Sequence, residues 1–228
     1  MHQFTFNYLP NFKSIMGKIK QGILGGFSGK VANVVGSSWK GIAVMKSLPL
    51  SVANPKTAAQ ILQRRRFSIL VSMAASILTS VVKPLWDRFA QKMSGFNDFV
   101  SKNFEAFNTG LYTLDYDKIR ISIGKMLAPA TLTATWLTPL SVKIDWTSNP
   151  ADSFALDTDI PYIVALDTDT DEVVSLPVGE AVRVDGTVTV DTELTLDSTH
   201  YHHIYLAFKR ADGTIVSDSL NGHLAPDE

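Results

Sequence analysis

Seven short runs of β-favouring residues, TLTATWL, SVKIDW, PYIVAL, EVVSL, TVTV, HHIYLAF and TIVSDSL, follow one another between residues 131 and 220, with turn-forming residues between them. Short alternating runs at this spacing fit antiparallel sheets packed face to face as a sandwich. Val142, Ile144 and Trp146 recur at every second position, as do Ile204, Leu206 and Phe208, so each trio points one way, toward a shared core. Ala211-Asp212-Gly213-Thr214 supplies the turn of the last hairpin.

Ahead of these runs the period changes. Pro55 holds Asn54 extended, and Thr57 with Gln60 fits a reciprocal capping box, so a helix starts here. Ile61, Leu62, Ile69, Leu70, Met73, Ile77, Leu78 and Val81 then recur at spacings of three and four, which predicts one helix to about Val82. Pro84 opens a second helix with Leu85, Trp86 and Phe89, and Ser94 caps a third through Phe99 to Phe104, giving a small helical bundle. The apolar run Ile69 to Val82 is broken by Ser72, Ser76, Thr79 and Ser80 and is too short for a membrane span.

The stretch Met16 to Lys46 holds seven of the fourteen glycines, five lysines and no acidic residue. Glycine at that density costs backbone entropy, which points to close approach or to a partner. VANVV and IAVM on either side of Gly36-Ser37-Ser38 predict a β-hairpin within Gly29 to Lys46. The adjacent pair Val34 and Val35 implies cover on both faces, more than an isolated hairpin supplies for itself. Val31, Val34, Val35, Trp39, Ile42 and Val44 are therefore the candidate assembly interface, with folding back onto the chain's own helices as the alternative. Gly-Gly-Phe-Ser-Gly-Lys is not a phosphate-binding loop, because Leu24 stands at the first glycine position and Val31 where the Mg²⁺-binding hydroxyl belongs. Residues 1–15 read as a leader or start-site extension, and the apolar run of a secretory signal is missing from them.

Charge divides the chain. Residues 1–125 carry 17 Lys and Arg against 5 Asp and Glu, a net of +12, and residues 126–228 carry 4 against 17, a net of −13. A basic half of this kind suits a polyanion, an acidic protein surface or head-to-tail contact between copies. Lys18, Lys20, Lys30, Lys40, Arg64, Arg65 and Arg66 are the candidate polyanion-binding residues. The arginine triplet lies in the first turns of the long helix, where the macrodipole disfavours cations. Three successive residues wind most of the way around a helix, so the triplet cannot face one phosphate, and a solvated cluster or salt bridges to the acidic half remain open. Phe67 and Trp86 are expected in the core rather than on a stacking platform.

The chain has no cysteine, which removes disulfides, thiol catalysis and thiolate metal sites. Asp167 to Glu172 alternates carboxylates but places Glu172 and Val178 where a helical calcium loop needs Gly and Glu, so it reads as a solvated hairpin turn. His200 and His202 share a face by alternation, with Asp197 as the nearby acid, and form no complete zinc set. No nucleophile, base and orienting group can be placed together, so catalytic residues, cofactors, a metal and a small-molecule substrate are not expected.

A tryptophan in the second strand without a cysteine pair resembles a fibronectin type III-like module more than an antibody-type one. GKIKQGILGGFSGKVANVVGSSWKGIAVMKSLP, followed by NPKTAAQILQRRRF and SGFNDFVSKN, resembles an uncharacterised family of bacterial proteins also found in phage and prophage contexts. The resemblance runs from Met16 to the C-terminus and implies a virion-associated structural protein, with no catalytic residues to carry over. The expectation is an α+β multi-domain chain: an extension at 1–15, a Gly-rich basic β-hairpin segment at 16–53, a helical region at 54–110 and an Ig/fibronectin III-like all-β sandwich at 126–228. Its function is expected to be non-enzymatic assembly, with itself or other structural proteins as partners and virion association after cytoplasmic synthesis. Nucleic-acid binding through the basic half is one alternative, and a surface binding module using the sandwich loops is another.

Overall fold

The computed structural model describes residues 18–19, 26–39, 41–49, 51, 54, 56–108, 113–148, 154–192 and 196–227. The leader read at residues 1–15 falls outside them, as do Lys20 and Lys40. The chain divides into two compact units, Met1–Lys56 and Thr57–Glu228.

The first unit is an antiparallel meander of β1 (Lys18–Ile19), β2 (Phe27–Val31), β3 (Val34–Trp39) and β4 (Ile42–Ser47) in sequential order. The turn expected at Gly36-Ser37-Ser38 is instead the middle of β3. Chain reversal occurs at two two-residue loops, between the paired residues Val31 and Val34 and between Trp39 and Ile42. Two-residue loops need positive φ, and Ala32 (φ 47°) and Gly41 (φ 83°) supply it. Gly36 serves close approach: a Cβ there would run into the Phe27 carbonyl and ring on the neighbouring strand.

In the second unit, α1 (Ala58–Ser76) starts as its sequence predicts, with Thr57 Oγ1 accepting from Gln60 N at 3.3 Å. It stops six residues before Val82. A π-helical turn, Leu78–Val82, leads into α2 (Lys83–Trp86), and the two helical stretches are bent by 73°. Pro84 has no N–H to return to the turn before it, so the helical ladder reorganises there. Ser94 caps α3 (Gly95–Asn103) by accepting from Asn97 N. Among the described residues no single helix is long and apolar enough to cross a membrane.

Seven strands follow: β5 (Leu132–Thr138), β6 (Ser141–Trp146), β7 (Ile160–Asp167), β8 (Val173–Leu176), β9 (Thr187–Asp191), β10 (His202–Lys209) and β11 (Leu220–Leu224). They form a β-sandwich of two sheets, ordered β5-β6-β9 and β11-β10-β7-β8. Six of the seven runs read from sequence are strands in place. The seventh, TIVSDSL, is not: Met126 N donates to the Val216 carbonyl, Ile121 N to Ser219 Oγ and Gly124 N to Asp218 Oδ1, so this segment is tied to the chain entering the sandwich. The last strand is therefore displaced to Leu220–Leu224.

The helices do not form a bundle apart from the sandwich. Leu70, Met73, Ile77, Val81, Leu85, Trp86 and Phe99 bury themselves against Val164, Leu166, Tyr205 and Ala207 on the outer face of the four-stranded sheet. Its inner face, with Ile163, Ala165, Ile204, Leu206 and Phe208, packs on Val142, Ile144 and Trp146. The charge change near residues 110–130 thus falls inside one unit, because the central strands β7 and β10 are apolar on both faces and need a layer on each.

One charged pair lies within this core. Arg183 and Asp159 are both fully buried, with Arg183 Nε 3.2 Å from Asp159 Oδ2. Arg183 Nη2 donates to the Leu127 carbonyl at 3.0 Å, its guanidinium lies 3.9 Å from the centre of the Phe208 ring, and Trp146 Nε1 donates to its carbonyl at 2.9 Å. Trp146 is in the core as expected, edge-on to Phe208.

Candidate functional site

In the N-terminal sheet, strand pairing assigns each residue to a face, since directly opposed residues share one. Phe27, Gly29, Val31, Val34, Gly36, Ser38, Ala43, Met45 and Ser47 occupy one face, which carries no charge. Ser28, Lys30, Val35, Ser37, Val44, Ile42 and Lys46 occupy the other. The interface candidates whose side chains are described are therefore divided, Val31 and Val34 on the uncharged face and Val35, Ile42 and Val44 on the lysine-bearing face, while the Trp39 side chain lies outside the described residues. Val31 is 49% exposed, Ile42 61% and Met45 69%. Met45 was absent from the sequence reading, although its alternation with Ala43 places it on the uncharged face.

Of the arginine triplet, Arg64 and Arg65 are exposed. Arg66 is half-buried over the Phe107 ring, 5.5 Å from its centre, with Nη2 3.5 Å from the Asn108 carbonyl. Its role includes holding the segment after α3, which separates it from a simple polyanion patch. Trp86 is buried, donating from Nε1 to the Ile121 carbonyl at 2.8 Å, whereas Phe67 is 54% exposed and not a core residue. Phe67 shares a helical face with Leu70 and Ala74, three and seven residues on, but lies nearer the start of α1, ahead of the first fully buried position, Leu70.

Two clusters of histidine and aspartate in the second unit lie at one end of the four-stranded sheet. His200 is outside β10, so alternation does not govern it, and its Nδ1 lies 2.6 Å from Asp167 Oδ2. Asp167 Oδ1 accepts from the Asp169 and Thr170 amides, closing the β7–β8 turn. Burial alone raises the Asp167 pKa, but the His200 contact and the two amides outweigh it and hold the carboxyl below its ordinary value. The Asp167 hydrogen bond holds His200 above its ordinary value. The 167–172 turn is hence partly closed over, rather than wholly solvated. His202 faces inward against Trp136, and burial pushes its pKa down.

On the helix-facing side of the same sheet, His203 of β10 is paired in register with His223 of β11, and their rings are 4.8 Å apart. Asp117, on the single 3₁₀ turn Tyr116–Lys118, reaches both: its Oδ1 is 3.6 Å from His203 Nδ1 and 3.9 Å from His223 Nε2. Asn221 Nδ2 donates to the same oxygen at 2.7 Å. Tyr116 stacks on His203, and its backbone carbonyl accepts from Tyr205 Oη at 2.7 Å. This convergence was not legible in the sequence, where Asp117 and the histidines are far apart and His223 lay beyond the expected last strand.

The model of a family of unknown function, DUF6266, matches residues 26–221. No curated protein matches the chain in sequence. Among solved structures, the chain is similar to the fibronectin type III domain of the human collagen alpha-1(XX) chain, at 15% identity over 44% of this chain and 86% of that one, with a TM-score of 0.31. It is similar to the third fibronectin III domain of the human KIAA0343 protein at 11% identity, over 45% and 84%, with a TM-score of 0.34. For a fibronectin III domain of human contactin 1 the identity is 9%, over 46% and 82%, with a TM-score of 0.30.

Proposed function

We propose, from the premise that this chain belongs to the DUF6266 family of unknown function, that it is a non-enzymatic structural protein of a larger assembly, docking through its N-terminal sheet onto further copies of itself. One observation carries the reading: a small sheet with apolar residues on both faces leaves Val31, Ile42 and Met45 largely exposed. Each such side chain forgoes burial worth about 1.5–3 kcal/mol, and association recovers it. The opposed net charges of residues 1–125 and 126–228 support head-to-tail orientation of the copies. The resemblance of the Gly-rich opening and the NPKTAAQILQRRR segment to phage-associated sequences supports a phage or prophage particle as the assembly, with the fibronectin III-like sandwich turned outward.

Light scattering on the purified chain at low and high salt, with and without DNA, tests this. Oligomers in the absence of DNA that persist at high salt are the expected result. A monomer that binds DNA with a steep salt dependence overturns it in favour of polyanion binding through the lysines and the exposed Arg64 and Arg65.

A further inference from the structure

We propose that Asp117, His203 and His223 form a zinc(II) site at the end of the four-stranded sheet, with a fourth position open to water. Two imidazoles and one carboxylate are borderline ligands that suit Zn²⁺, whereas Mg²⁺ and Ca²⁺ take oxygen sets. The three ligand atoms lie within 4.8 Å of one another, with Asp117 Oδ1 at 3.6 Å from His203 Nδ1 and 3.9 Å from His223 Nε2. A tetrahedral ion with bonds of about 2.0–2.2 Å sets its ligands about 3.4 Å apart, so both carboxylate-to-imidazole distances close by a few tenths of an ångström, and the two imidazole nitrogens, within 4.8 Å, by up to about 1.4 Å through rotation of the exposed His223 side chain.

The donors are held before any ion arrives. His203 is 7% exposed, its ring stacked on Tyr116 and edge-on to Tyr201, and the β10–β11 register sets His223 beside it. The turn carrying Asp117 is fixed by Tyr116 Oη, which donates to Asp171 Oδ1 at 2.7 Å. Asn221 Nδ2 donates to Asp117 Oδ1 at 2.7 Å and lies 3.1 Å from His203 Nδ1, so the same amide group draws these two ligand atoms together and is displaced when the ion takes its place. The nearby set Asp167, Asp169 and His200 is poorer for Zn²⁺, because it offers a single imidazole and its Asp167 oxygens take two backbone amides and the His200 ring, against one side-chain amide on Asp117 Oδ1.

The full chain, prepared without a polyhistidine tag, is titrated calorimetrically with zinc chloride and with magnesium chloride. One Zn²⁺ and no Mg²⁺ per chain is expected. His223→Gln and Asp117→Asn, both at exposed side chains, weaken zinc by at least about 10- to 100-fold, the loss usual for outer partners alone. His200→Gln leaves zinc binding unchanged. Equal affinity in the parent and both ligand variants, loss of zinc on His200→Gln, or no binding by the parent at millimolar zinc each overturns the site. Should a variant fail to fold, Co²⁺ loaded into the parent chain decides: an intense tetrahedral visible band is expected, and a weak octahedral spectrum overturns the proposal.

Discussion

Replacing Arg183 by Ala removes the only cation within bonding distance of the Asp159 carboxylate among the described residues, and both side chains are fully buried. Two unit charges about 4 Å apart interact by roughly 4 kcal/mol at an effective dielectric of 20, and stranding one partner of a buried pair costs about 3–5 kcal/mol. Leu156 N still donates to Asp159 Oδ2 once Nε is gone. Asp159→Asn, which strands the cation instead, costs a similar amount. The double variant Arg183→Ala/Asp159→Asn, which leaves no charge behind, costs clearly less than the two single losses added, since the penalty of each is mainly the orphaned partner. Urea unfolding followed by far-UV circular dichroism reads all three. A single variant within about 1 kcal/mol of the parent refutes the buried-pair account, as does strict additivity in the double.

Limited proteolysis yields a resistant fragment beginning near Thr57, whereas a first stable fragment beginning between 110 and 130 contradicts the shared helix and sheet core. The stabilising contribution of the His200–Asp167 pair has two pH limits. Because His200 is held above its ordinary 6.5, its part is fully present below that value and is lost as pH rises through the raised pKa. Because Asp167 is held below its ordinary 3.8, its part is present above that value and is lost as pH falls through the lowered pKa. The stability advantage of the parent over His200→Gln is therefore greatest between the ordinary values of 3.8 and 6.5 and shrinks as pH rises through the raised His200 pKa, and an advantage that grows with pH above 6.5 contradicts the pairing.

The sandwich was legible because period-2 patterning and turn residues are local signals: Val142, Ile144 and Trp146 face the core as their alternation predicts. The helix starts at Thr57 and Ser94 were legible for the same reason, each being a side chain bonded to an amide three residues on. What the sequence concealed was long-range. The union of helices and sheet was present only as an undervalued pattern, since IYLAF, after its two histidines, and PYIVAL carry no charged residue to turn toward water. Arg183 and Asp159 left no local signal, because their partnership spans 24 positions. Reading TIVSDSL as the last strand hid His223, and with it the convergence on Asp117. In the N-terminal sheet, Gly36-Ser37-Ser38 imitates a turn, yet Gly36 is there to admit Phe27 from the next strand.

The central claim is that the N-terminal sheet drives association. Sedimentation equilibrium on the intact 25.0 kDa chain and on a chain starting at Thr57, across concentration at low and high salt, tests it most directly. The account predicts multiples of the monomer mass for the intact chain, weakened but not abolished by salt, and a folded monomer for Thr57–Glu228. An intact chain that stays monomeric at every concentration and salt, or a shortened chain that associates as strongly as the intact one, contradicts it.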